Sequence, residues 1–155
     1  MSTIGVIGIG NPLRRDDGIG LVLLQRLQMQ QWPDSFSFLD GGAGGMQLLH
    51  MLSAFDIIVF LDAVHFGEEP GVLHVFTPEE VRSNKAQIQS STHGFDLFHV
   101  ISFAQELDEK SSHIHIIGIE PEDVSFGEGI SQTLQEKLDD FIEVIATVLR
   151  SLTTQ

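Results

Sequence analysis

Apolar residues recur along the chain in two rhythms. Residues 3–9 (TIGVIGI), 36–39, 56–61 (DIIVFL), 71–76 (GVLHVF) and 113–119 (HIHIIGI) form short apolar runs bounded by turn residues, the pattern of buried strands. Between them the spacing becomes helical. Residues 17–30 place Ile19, residues 21–24 and Leu27 on one face behind an acidic start. A short helix is expected over 46–52, after the glycine-rich stretch 41–45. Residues 95–107 repeat Phe95, Phe98, Val100, Ile101, Phe103, Ala104 and Leu107 at helical spacing. Residues 130–152 carry the longest stripe: Leu134, Leu138, Phe141, Ile142, Ile145, Val148, Leu149 and Leu152. Residues 79–91 are polar and weakly patterned, consistent with a short helix and an exposed loop.

Continuous apolar strands separated by helices imply a sheet covered on both faces. The expected fold class is α/β: a three-layer α/β/α sandwich whose mostly parallel sheet has about five strands. Residues 71–76 are the expected antiparallel strand, because only a short loop separates them from residue 61. No repeat, linker or low-complexity tract divides residues 1–155, so one domain is expected.

Composition narrows the chemistry. The chain has 155 residues, 42% of them hydrophobic, and no Cys. A thiol nucleophile, a thiolate metal site and disulfides are therefore excluded. Twenty-two acidic residues face eight basic ones, a formal net charge of −14. Such a surface repels phosphate backbones and anionic lipid, so neither nucleic acid nor membrane is an expected partner. The N-terminus lacks the basic and apolar regions of a signal peptide, and the longest apolar runs are too short to span a bilayer. A cytoplasmic location is expected.

In open α/β sheets, ligands bind beyond the carboxyl ends of the strands. Three of the four loops there carry acidic side chains at or near the strand end. The first loop, residues 10–18, ends in Asp16 and Asp17. Acidic residues suit a helix start, but two adjacent carboxylates exceed that need and leave one for a metal or substrate. Asp62 closes the apolar run of residues 57–61, at the mouth of a central strand. It either caps a turn or faces a ligand. Asp40 precedes Gly41 and Gly42 in a loop whose glycines suggest a backbone-positioning role.

His93 follows Ser91 and Thr92, either of which can cap the next helix, so that role does not need the histidine. His65 is the rival ligand nearest Asp62 in sequence. His113 and His115 share a strand face but sit at the opposite end of the sheet. His50, His74 and His99 fall within regular elements. Nucleotide binding is disfavoured: Leu13 stands where a third glycine of GxGxxG belongs, and the loop ends in carboxylates that repel phosphate. There is no GxSxG elbow or HExxH helix. The most economical chemistry is two carboxylates and one imidazole around a divalent ion, with positions open for water or substrate.

The segments GIGNPLRRDDGIG (8–20), DGGAGGMQLL (40–49), FLDAV (60–64), STHGFDL (91–97) and IIGIEP (116–121) together resemble the nickel–iron hydrogenase maturation endopeptidases. They occur in that family's order and span most of the chain. The resemblance implies that Asp17, Asp62 and His93 are the metal ligands and catalytic residues, with Gly41 and Gly42 in a loop that approaches the substrate. It implies an endopeptidase that removes a short C-terminal extension from a hydrogenase large-subunit precursor after nickel insertion. The cofactor would be a divalent metal, nickel delivered by the substrate. The alternative from another functional class is a non-catalytic nickel-binding maturation chaperone.

Overall fold

The computed structural model describes residues 2–45, 47–82, 90–91, 99, 102 and 113–154. Strand β1 (Ile4–Gly8) leads through a 3-10 turn (Arg15–Gly18) into helix α1 (Ile19–Gln28). Strand β2 (Phe36–Asp40), helix α2 (Leu48–Leu52) and strand β3 (Ile57–His65) follow. Then come β4 (Leu73–Phe76), α3 (Pro78–Arg82), the two-residue β5 (Ser90–Ser91), β6 (His113–Ile119) and helix α4 (Gln132–Ser151). Of the helix expected over 95–107, only His99 and Ser102 are described, both helical and exposed.

The sheet order is β2-β1-β3-β6-β4. β1 runs parallel to β2 and β3, and β3 runs parallel to β6. β4 is antiparallel, as its short connection suggested, but its partner is β6 rather than β3. The chain therefore has the expected α/β architecture, a five-stranded, mostly parallel sheet with helices on both faces.

Alternation along the strands builds two cores. Ile4 and Val6 of β1 and Val59 and Leu61 of β3 face Leu23 and Leu27 of α1 and Phe141, Ile145 and Leu149 of α4. Ile7, Ile9, Ile58 and Phe60 face the other way, onto Leu48 and Leu52 of α2. Strands buried on both faces read as continuous apolar runs, which is why they were recognisable. No helix of the described residues is long and apolar enough to cross a membrane.

Two boundaries differ from expectation in ways that matter for the site. β3 does not stop at Leu61 but continues through Asp62 to His65, because β6 keeps pairing with it as far as Ala63↔Ile119 and β5 pairs with Val64 and His65. Helix α1 starts at Ile19, so Asp16 and Asp17 lie in the preceding 3-10 turn.

Candidate functional site

The strand order reverses between β1 and β3: β2 lies on one side of β1 and β3 on the other. A crevice opens at such a switch point, beyond the carboxyl ends of the two strands. β1 leaves the sheet with Ile9 N–H donating to Leu61 O at 2.9 Å, directly before Asp62. The loop then folds tightly back on itself. Gly10 has φ +152°, and a Cβ there would lie 2.0 Å from Asp17 O, so only glycine fits. At the far end of the turn, a Cβ on Gly20 would meet Leu61 O at 2.2 Å and Ile9 O at 2.4 Å. Missing side chains thus let the start of α1 sit on the backbone ends of β1 and β3. The 3-10 turn carrying Asp17 packs against the strand carrying Asp62.

Both carboxylates are fully buried, at 0% exposure. Asp17 Oδ2 accepts the Asn11 N–H at 3.0 Å, closing its own loop. Asp62 lies opposite Gly118 of β6 and shares its strand face with Ile58, Phe60 and Val64 by alternation. Among the described residues, no three His, Asp or Glu side chains gather closely enough to hold a metal ion. The third proposed ligand, His93, lies outside the described residues. The donor chemistry of two buried carboxylates, one in the 3-10 turn and one in β3, suits a hard or borderline divalent cation with an imidazole as third ligand.

The adjacent acidic residue has a different role. Asp16 is not a helix cap, since no side-chain cap bond is made at the 3-10 turn or at α1. Its Oδ2 accepts the N–H groups of Glu122 at 2.9 Å and Asp123 at 3.1 Å, and its Oδ1 accepts Ser131 N–H at 2.6 Å. Its own N–H donates to Asp123 O at 2.9 Å. Asp16 therefore fastens the loop between β6 and α4 to the loop after β1. In that outer loop, Ser125 donates its hydroxyl and its N–H to Asp123, holding that carboxyl below its ordinary range, with Arg15 adding to the effect.

Glu120 is a second buried scaffold carboxylate that the motif reading left without a role. Its Oε1 accepts Phe66 N–H at 2.7 Å and Glu68 N–H at 3.0 Å, and its Oε2 lies 3.3 Å from His65 Nδ1. The rival histidine is thereby engaged elsewhere. His65 is three residues from Asp62 on one strand, hence on the opposite face. Nothing local to Glu120 signals this role, because its partners lie more than fifty residues away.

His113 and His115 pair with Ile57 and Val59 at the amino end of β3, away from Asp62. Burial lowers the His115 pKa below its ordinary 6.5, and neighbouring His113 lowers it further, against the opposing pull of Glu79 and Glu80.

The glycine-rich loop borders the same edge. Gly41 N–H donates to Gly8 O and Gly10 N–H to Gly42 O, both at 2.8 Å. Asp40 Oδ1 accepts the Gly42 N–H at 2.7 Å, giving Asp40 the backbone-positioning role expected of it. A cleft of about 240 Å³ lies beside these loops, with Arg15, Gly18, Leu21, Asp40 and Ile130 in its wall.

Comparison with known proteins gives this geometry a context. The sequence model of a family described as hydrogenase maturation protease matches residues 22–148. The hydrogenase maturation protease HycI of Thermococcus kodakarensis KOD1 is 30% identical, with 96% of this chain and 92% of that one covered and a TM-score of 0.75. The hydrogenase maturating endopeptidase HybD of E. coli is 28% identical over 96% of this chain and 93% of its own, with a TM-score of 0.82. The hydrogenase expression/formation protein HupD of Bradyrhizobium diazoefficiens is 30% identical over 146 residues, 93% of this chain and 76% of that protein.

Proposed function

Because the chain belongs to the hydrogenase maturation protease family, we propose that it removes a C-terminal extension from a nickel-loaded hydrogenase large-subunit precursor, using Asp17, Asp62 and His93 as the ligands of one divalent ion. The protease assignment follows from the family. The metal site is our reading of the residues.

One observation carries that reading: two fully buried carboxylates, Asp17 and Asp62, meet the switch-point edge of the sheet from different elements. Carboxylate oxygens brought from separate elements to one place are hard donors of the kind that divalent cations take as ligands. The path of the chain towards His93 supports the third ligand. β5 pairs antiparallel with the end of β3, Ser91 opposite Val64 and Ser90 opposite His65. His93 is two residues beyond Ser91, and two residues of chain reach at most about 7 Å. Val64 is itself two residues from Asp62 on the same strand face.

In this reading the nickel is part of the substrate and arrives with the precursor. When bound, it supplies Lewis-acid polarisation at the scissile peptide. The protein's own share is to present two fixed negative charges and one imidazole, and to hold the cleavage segment beside them. The loop of Gly41 and Gly42 is suited to approach that segment, since Gly42, at φ +61°, has no atom within 4 Å of where a Cβ would stand.

The test is to incubate the purified protein with nickel-loaded and nickel-free precursor and weigh the products. The expected result is a shortened product from the nickel-loaded form alone. Cleavage of both forms removes the nickel requirement, and cleavage of neither removes the proposed activity.

A further inference from the structure

The loop that carries Asp17 also displays Leu13, which is 59% exposed. The loop fastened to it displays Phe126, 84% exposed and the most exposed of the large hydrophobic residues described. Solvated loop tips ordinarily carry small polar residues, and a phenylalanine held in water forgoes the burial that favours it elsewhere. This one is not on a loose tip. Gly127 N–H donates to Leu13 O at 2.9 Å, and Arg15 N–H donates to Gly127 O at 3.2 Å. Arg14 Nε donates to Val124 O at 3.0 Å, and its guanidinium carbon lies 5.9 Å from the centre of the Phe126 ring. Beneath them, Asp16 takes three backbone N–H groups from the outer loop and its flank.

We infer that Leu13, Arg14 and Phe126 form a rigid docking platform for the folded body of the precursor, beside the site that cleaves it. The inference rests on the proposed function and adds the surface through which the substrate is recognised. Three observations favour the precursor as occupant. The platform is continuous with the candidate site, since only three residues separate Leu13 from Asp17. It is preorganised, so little ordering entropy would be lost on contact. It also carries the Arg14 guanidinium beside the exposed Phe126 ring, while Arg15 is ion-paired with Asp123. It is therefore an aromatic and guanidinium surface, matched to an apolar patch that offers a carbonyl or carboxylate to Arg14. Aromatic and arginine side chains are the usual anchors of such contacts.

The test compares wild-type protein with the double variant Leu13→Ser, Phe126→Ser. Neither side chain belongs to the two cores. Thermal melting should therefore be unchanged, and Asp16 keeps the loops fastened. Binding of nickel-loaded precursor to immobilised protein is measured by interferometry, and self-association by sedimentation. The expected result is at least tenfold weaker binding by the double variant, with both proteins sedimenting as the same species. Should the double variant prove unstable, Phe126→Leu, which keeps an apolar residue but removes the ring over Arg14, replaces it with an expected severalfold loss.

Binding within twofold of wild type overturns the platform while leaving the protease reading intact, provided the wild type still shortens the precursor. Wild-type protein that self-associates through these residues overturns it in favour of a second copy of this chain. Wild-type protein that neither binds nor cleaves the precursor overturns both inferences.

Discussion

Replacing Asp16 by Asn separates the two adjacent aspartates by physical role. The carboxylate offers both oxygens as acceptors: Oδ2 takes Glu122 and Asp123 N–H, and Oδ1 takes Ser131 N–H. The amide has one acceptor oxygen. Turned one way it keeps the Ser131 bond and points an NH2 group at two backbone donors. Turned the other way it keeps those two and points the NH2 at Ser131 N–H. At least one donor at a fully buried side chain loses its acceptor, and the charge that strengthens the remaining bonds is gone. The cost should be about 2–3 kcal/mol, more than the roughly 1 kcal/mol of a surface helix cap. For a chain of this size that corresponds to a fall in Tm of roughly 5–10 °C. Urea and thermal unfolding followed by circular dichroism would measure it. A loss below about 1 kcal/mol would refute the staple, since the amide would then have found equivalent partners. Precursor cleavage, assayed well below the melting range, should be far less affected than by a change at Asp17. If Asp16→Asn abolishes cleavage in a folded protein while Asp17→Asn leaves it at the wild-type rate, the ligand assignment is displaced by one residue.

Asp17→Asn, Asp62→Asn and His93→Ala should each abolish precursor processing while leaving a folded chain by circular dichroism. Wild-type processing by all three would dispose of the metal site. Gly20→Ala should destabilise the fold by about 3 kcal/mol in urea titrations, because its Cβ would press on the carbonyl oxygens of Leu61 and Ile9; a cost under about 1 kcal/mol would show that α1 can shift away freely. For His115, burial keeps the folded-state pKa below the ordinary 6.5, so the unfolded chain binds the proton more readily. Its stabilising contribution is then present above that value and is lost as pH falls below it. Stability measured from pH 7 to pH 5 should fall more steeply for wild type than for His115→Gln, and parallel curves would refute the linkage.

What the sequence reveals of this fold and what it hides have the same physical origin. Residues 57–61 announce a central strand because both faces are buried and every position is apolar. Residues 63–65 are as much part of that strand, yet Asp62 interrupts the run and reads as its end. Ala63 is held in the sheet by β6 and Val64 and His65 by β5, non-local pairings that leave no mark on the sequence around residue 62. The crevice itself was legible, since strand order in such sheets places ligands beyond the carboxyl ends, and the loops there are acidic.

The division of labour among the acids was not legible. Four carboxylates are buried among the described residues: Asp16, Asp17, Asp62 and Glu120. Asp16 and Asp17 are neighbours of the same type at the same helix approach, and the residue pattern around them does not say which is which. What separates them is a set of N–H donors 106 to 115 residues away, brought to Asp16 only when the loop after β6 folds over. Glu120 is taken in the same way by the amides of Phe66 and Glu68 from across the sheet. A carboxylate that receives two or three backbone donors from a remote segment is fastening that segment, and its charge is already answered. Asp17 accepts the N–H of Asn11, six residues back in its own loop, and that bond shapes the turn around the carboxylate. That contrast, visible only once the donors are located, assigns Asp16 to the scaffold, and the proposed function then takes Asp17 as the acid of the first loop to set beside Asp62.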